Sequence, residues 1–315
     1  MKTFTMPGTG LRTPNIVAGM MRIAGKTDSE IRELVAAALD VGVTFFDHAD
    51  VYGGETHKCE ARFAEALKLT PAQREKVILQ TKAGIVPTGE GWAYFDYSAE
   101  HLIASAEGSL RALRTDYIDI LLLHRPDALV EPEEVAAAFD QLHAQGKVRH
   151  FGVSNHSPRQ IDLLKTAVRQ PLVANQLQLS ITHSPLVAQG LAVNMEKLDQ
   201  SVVRDGGGLL DYCRANGITV QAWSPFQRGF FDGVFLGDRE REPKLNDVID
   251  KLAAKHKVEP IAIATAWITR HPANMQVVLG TTNPARVAAA ALGSDLPLTR
   301  KEWYELTLAA GHITP

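Results

Sequence analysis

The sequence predicts an α/β protein folded as a (β/α)8 barrel, and three features predict it. Short β-rich runs alternate with helical stretches along the whole chain. The runs are near-continuously apolar rather than apolar and polar in alternation, as expected of strands buried on both faces in a parallel sheet covered by helices. There are eight of them, the number that closes such a barrel. The competing architecture, a doubly wound open sheet, carries a glycine-rich turn between its first strand and helix, and no such turn is present.

Taken in order, "PGTGLRTPN" contains G-x-G but precedes the first parallel strand and lacks a third glycine, so it reads as the turn of an N-terminal β-hairpin. The strands follow as "NIVAG" (15–19), "VTFFD" (43–47), "VILQTK" (77–82), "YIDILLLH" (117–124), "VRHFGVS" (148–154), "LVANQLQ" (172–178), "ITVQAWS" (218–224) and "MQVVLG" (275–280). In the first helical stretch Ile31, Leu34, Val35, Ala38 and Leu39 share one face and Gly42 ends the helix. Further helices read over 98–114, 132–147, 157–168, 209–217 and 283–293. Two connections are long, 83–97 and 180–207. Both follow strand C-termini, the end where a barrel builds its active site, and long loops there are more often functional than idle.

No linker or composition shift divides the 315 residues, so residues 1–315 read as one domain. A net charge of −3 points away from a nucleic-acid surface or an anionic membrane and toward a small partner; the sequence leaves the oligomeric state unassigned. Cys59 and Cys213 lie far apart with no C-x-x-C spacing, which argues against a disulfide framework or a zinc site and fits a reducing compartment. The start "MKTFTMPGTG" has no apolar signal region and no run of about eighteen apolar residues occurs, so a soluble, cytoplasmic protein is expected.

The informative residues are the polar ones that close the strands. The second strand ends in Asp47 with Tyr52 just beyond, the third in Lys82 and the fourth in His124. A lone charge at the end of a buried strand is expensive, whereas Asp47 and Lys82 on adjacent strands relieve each other. Such a pair alone would be structural. With Tyr52 and His124 at the same mouth, catalysis is the better reading. A cation about 4 Å from a tyrosine, at an effective dielectric near 20, is worth about 4 kcal/mol or roughly three pKa units, so Lys82 is expected to lower Tyr52 into the range of a general acid. His124 is placed to donate to a substrate oxygen. His48 is expected to be packed beneath the rim, and Arg125, directly after His124, to face outward rather than to meet an anionic substrate. Met20, Met21, Trp92, Tyr94 and Phe95 are candidates for an apolar pocket.

"FFDHADVYGG", "QTKAG" and "LLLHRPD" resemble the catalytic motifs of the aldo-keto reductases, (β/α)8 enzymes that reduce carbonyls with NADPH. The resemblance covers nearly the whole chain. It implies a tetrad of Asp47, Tyr52, Lys82 and His124, with Tyr52 as proton donor to a small carbonyl substrate. "GKVRHFGVSNHSPRQI" and "NQLQ" imply that Ser154, Asn155 and Gln176 bind the nicotinamide carboxamide. Gly19 and Met20, after the first strand, join the implied cofactor wall. "AWSPF" is similar to the segment whose aromatic ring stacks on the nicotinamide, here Trp223, with Ser224, Pro225, Phe226 and Arg228 beside the pyrophosphate. "LGTTNPARVAAAALG" resembles the adenosine-phosphate loop, implying Gly280, Thr281, Thr282 and Arg286 and backbone N–H groups at the helix start. An arginine fork suits a 2′-phosphate, hence NADPH. Ala290 and Ala291 stand where many relatives have Glu-Asn against adenine. Oxidation of a sugar or alcohol, or an NADPH-holding module like the channel β subunits, remain open alternatives.

Overall fold

A computed structural model of the chain describes residues 1–91, 93–193, 207–230 and 232–313. Trp92 and the second half of the 180–207 connection lie outside the described residues. The eight expected strands are β1 (Ile16–Gly19), β2 (Phe45–Asp47), β3 (Ile78–Ala83), β4 (Ile118–Leu123), β5 (Val148–Ser154), β6 (Leu172–Gln178), β7 (Thr219–Trp223) and β8 (Gln276–Leu279). They form a closed parallel barrel in chain order, β8 pairing with β1. Aliphatic residues pointing outward from the strands meet the helices, and Leu34, Phe139, Leu142 and Trp267 are all buried in that layer.

Local chemistry sets the helix boundaries. The helix Asp28–Asp40 starts at a capping box in which Thr27 and Glu30 exchange side-chain and backbone hydrogen bonds, and it buries Ile31, Leu34, Val35 and Ala38. Leu39 departs from the expected face and is 40% exposed, because one further residue turns it about 100° away from Ala38. Ser157 with Gln160 and Thr299 with Glu302 make equivalent boxes ahead of Pro158–Leu164 and Arg300–Ala309.

An antiparallel hairpin, Thr3–Thr5 with Arg12–Pro14, precedes the barrel as expected. Met6 on its turn is fully buried and joins one cluster with Val17, Phe45, Ile78, Ile120, Leu122, Val173, Ala174 and Val278, which fill the barrel interior, with Phe4 and Leu11 packed against it. The long connection after β3 holds a second hairpin, Ile85–Pro87 with Ala93–Phe95.

Candidate active site

β2 and β3 run side by side with Asp47 opposite Gln80, which places Lys82 two residues further up the neighbouring strand. Lys82 is fully buried and uses three donors: Nζ reaches Asp47 Oδ2 at 2.7 Å, the His48 carbonyl at 2.7 Å and Tyr52 Oη at 3.0 Å. An ammonium has three N–H groups, so none is left over. Tyr52 comes from a tight loop closed by His57 N to the Asp50 carbonyl at 2.5 Å and Cys59 N to the Tyr52 carbonyl at 3.2 Å. Gly53 makes that loop possible: its φ is +101°, and a Cβ there would lie 2.9 Å from the Ala24 Cβ. The Tyr52 and His124 rings meet edge to face at 5.8 Å, so the four predicted residues converge.

Burial raises the Tyr52 pKa above the ordinary value of 10; Lys82 pulls it down, but Asp47 pushes it back up. Lys82 thus acts in the expected direction, but the expectation that it would bring Tyr52 below its ordinary value is corrected. A single cation is only part of the balance, because the phenolate also loses its water and the carboxylate offsets the ammonium. Burial, the largest single influence, would lower Lys82, yet Asp47 and Tyr52 together outweigh it and its pKa is raised, so it stays charged. Burial, then the positive charges of Lys82 and Arg125, hold His124 well below 6.5, and its Nδ1 is buried without a partner among the described residues. At neutral pH these three are ammonium, phenol and neutral imidazole.

Asp47 is held from the lumen as well. Its Oδ1 accepts from Gln80 Nε2 at 2.6 Å and Gln176 Nε2 at 3.0 Å. Gln80 exchanges two hydrogen bonds with Gln221, at 2.9 and 3.0 Å, and Gln221 donates to Gln276 at 3.0 Å. β3 and β7 are not neighbours in the barrel, so this amide network crosses its interior. The strand-end pattern did not point to Gln80 and Gln221, although a glutamine inside "VILQTK" is itself a signal, since a buried amide needs partners.

Above this layer a continuous cleft of ≈ 1950 Å³ opens at the strand C-termini, larger than a drug-sized pocket and roomy enough for a dinucleotide with a second molecule. Asp47, Tyr52 and His124 reach it, as do Gly19, Ser154, Asn155, Gln176, Trp223, Ser224, Pro225, Phe226, Gly280, Thr281, Thr282 and Arg286. Asn155 and Ser224 have φ of +60° and +50°, strained backbones of a kind that clusters at functional sites. Asn155 Oδ1 accepts from Trp223 Nε1 at 3.1 Å, which fixes the indole. Two predicted cofactor residues are placed elsewhere. Met20 is buried in the core while Met21 lines the cleft, because adjacent residues leaving a strand face opposite ways. Arg228 is committed to Asp238 and to the Asp232 carbonyl, an acidic turn that takes it off the cleft wall.

The residues of the cleft suit a dinucleotide in part. Arg286 has no carboxylate partner among the described residues and stands beside Thr281 and Thr282. The first amides of helix Pro284–Ala291, expected to face a phosphate, are already capped: Asn283 Oδ1 accepts from Ala285 N at 2.9 Å and Arg286 N at 3.4 Å. Tyr94 and Phe95 are both substantially exposed, and Phe95 reaches the cleft. His48 is packed edge-on against Phe63 at 4.8 Å beneath the rim, as expected, and burial lowers its pKa to about 4. Arg125 does not face outward; it lines the cleft beside His124.

A family model described as the aldo/keto reductase family matches residues 15–309. The chain is 39% identical over 283 residues to the oxidoreductase YdhF of Escherichia coli, covering 88% of this chain and 86% of that protein. It is 36% identical over 311 residues to the 6-dehydroglucose reductase of Agrobacterium fabrum, covering 96% of each. Among solved structures, a glycerol dehydrogenase from Gluconobacter oxydans superposes with a TM-score of 0.75 at 25% identity, over 99% of this chain and 96% of that one.

Proposed function

The chain belongs to the aldo/keto reductase family, and on that premise we propose that residues 1–315 form one NADPH-dependent domain that reduces the carbonyl of a small aldehyde or ketone to an alcohol. The observation that carries this reading is the bond from Lys82 Nζ to Tyr52 Oη at 3.0 Å, in a site where Lys82 is also held by Asp47. Because Tyr52 accepts from Lys82, its own proton is free to go elsewhere.

The nicotinamide, when bound, supplies the hydride that adds to the carbonyl carbon. Tyr52 gives its proton to the carbonyl oxygen as the C–O bond pair settles there, and the phenolate left behind is matched by the Lys82 ammonium until a proton returns from solvent. Asp47 keeps that ammonium charged and in place. His124, neutral and carrying its proton on Nε2, donates to the same oxygen and keeps the substrate within reach of Tyr52. Trp223 offers the flat face for the nicotinamide, with Asn155 bracing the indole, and Ser154, Asn155 and Gln176 would hold its carboxamide. Arg286 with Thr281 and Thr282 is the seat for a 2′-phosphate, which favours NADPH.

The raised Tyr52 pKa supports the reductive direction, since a phenol is the form required for reduction and oxidation needs the scarce phenolate. The Agrobacterium relative named 6-dehydroglucose reductase supports an aldehyde as substrate. No described helix is long and apolar enough to cross a membrane. The two free, buried cysteines support a cytoplasmic setting. The test is NADPH consumption with a panel of aldehydes by wild type and Tyr52→Phe; equal rates in the two would end the reading.

A further inference from the structure

Among the described residues Arg125 is a cation without an anion. Other arginines withdrawn from solvent are matched: Arg74 with Asp119 at 2.7 Å, Arg62 with Asp28 at 2.7 Å, and Arg228 with Asp238. The Arg125 guanidinium is half-buried in the cleft wall with no carboxylate partner among the described residues. What surrounds it is aromatic. Its Cζ lies 5.6 Å from the centre of the Trp223 ring and 5.9 Å from that of Phe230. Such faces ease the loss of water from a guanidinium but do not neutralise it.

The backbone that carries it is fixed. Tyr97 Oη donates to the Arg125 carbonyl, Tyr97 N donates to Asp127 Oδ2 at 3.1 Å, and the Tyr97 ring stacks on His156 at 6.2 Å. That ring can close only over a glycine, since a Cβ on Gly84, whose φ is +105°, would collide with it. The charge also acts at the reacting end of the cleft, for it bears on the protonation of both Tyr52 and His124. In a chain of net charge −3, an unmatched cation held rigidly beside the proton donor is not a general surface property.

We propose that Arg125 determines specificity, and that the preferred carbonyl substrate carries a carboxylate or phosphate that its guanidinium receives while the carbonyl oxygen lies between Tyr52 and His124. This rests on the reductase reading given above. Both anions offer the paired oxygens that a guanidinium fork engages, and Trp223 and Phe230 would wall the anion from water.

The experiment compares kcat/KM, at saturating NADPH, for matched aldehydes with and without an anion: 4-carboxybenzaldehyde and benzaldehyde, succinic semialdehyde and butanal, glyceraldehyde 3-phosphate and glyceraldehyde. The wild type is expected to favour the charged member of at least one pair by about ten- to a hundred-fold, mainly through KM, the size of one charge-assisted hydrogen bond or two. The pair that shows it tells carboxylate from phosphate. In Arg125→Gln the ratio should collapse toward one, and Arg125→Lys should keep part of it. If Arg125→Gln does not fold, the wild-type ratio itself serves, because it must fall as salt is added. A ratio near one in every pair, a ratio indifferent to salt, or a preference that survives in Arg125→Gln would overturn the assignment while leaving the reductase reading intact. Failure to consume NADPH with any aldehyde would instead remove that reading, and this one with it.

Discussion

Lys82 donates to Tyr52, not the reverse: with Nζ 3.0 Å from Oη and its other two protons on Asp47 and the His48 carbonyl, the lysine leaves the phenolic proton uncommitted. A tyrosine spent as a donor within the protein would be a poor acid. This geometry sets the expectations that follow.

Tyr52→Phe removes the proton and keeps the ring. We expect kcat to fall by about 10²- to 10⁴-fold, the usual worth of a positioned acid, with NADPH affinity changed by no more than about twofold. Steady-state kinetics with a fluorescence titration of the cofactor would check both; a kcat within about tenfold of wild type would remove Tyr52 from its role.

The pH profiles of the two directions should differ. The Tyr52 pKa is raised and that of His124 is depressed, so across roughly pH 6 to 8 the first stays protonated and the second neutral. Carbonyl reduction is expected to be flat over that range. Alcohol oxidation needs the phenolate, whose fraction grows about tenfold per pH unit below its pKa, so its rate should climb without a plateau up to about pH 10. An oxidation rate that levels off near neutrality would contradict the raised pKa.

Arg286→Ala should weaken NADPH by about ten- to a hundred-fold and NADH far less, because only the former has a 2′-phosphate for the guanidinium. Equal losses for both cofactors, measured by titration, would move the phosphate seat elsewhere in the cleft.

Asp50, beneath the Tyr52 loop, offers a stability test. Burial first, then Glu60, push its carboxyl from 3.8 up to about 7, against the opposing pull of His57. A carboxyl whose folded pKa is raised favours the folded state when protonated, and that contribution is lost as pH rises from about 4 through 7. The shift of about three units sets a ceiling of roughly 4 kcal/mol. Asp50→Asn mimics the protonated form, so its melting temperature relative to wild type should be higher at about pH 8 than at about pH 5. The opposite trend would show that His57 holds Asp50 ionised in spite of burial and Glu60.

The sequence made the barrel legible because each strand is an apolar run closed by a polar residue, a pattern that few folds besides a parallel barrel require. Asp47, Lys82 and His124 were found for the same reason. The pattern does not record which way a side chain turns once a strand has ended. That is why Met20 turns into the core while Met21 alone reaches the cleft, and why Arg125 lies inward, drawn by Trp223 from a distant strand. The direction of the Tyr52 shift was hidden too, since burial is a property of the assembled cleft. Gln80 and Gln221 were readable as buried amides, but their partnership joins residues 141 positions apart and no local spacing announces it.

The N-terminal hairpin has a consequence for the order of assembly. It leaves the ribosome before every strand of the barrel, yet Met6 belongs to an interior cluster drawn from Val17 through to Val278 and the Lys2 carbonyl accepts from Asn15 N at 3.1 Å. Its apolar turn therefore has nowhere to settle until the last strand has closed the ring. A dye or isotopic label near Met6 would thus report completion of the barrel rather than its beginning, and any molecule in which that label stays wet has not yet made its floor.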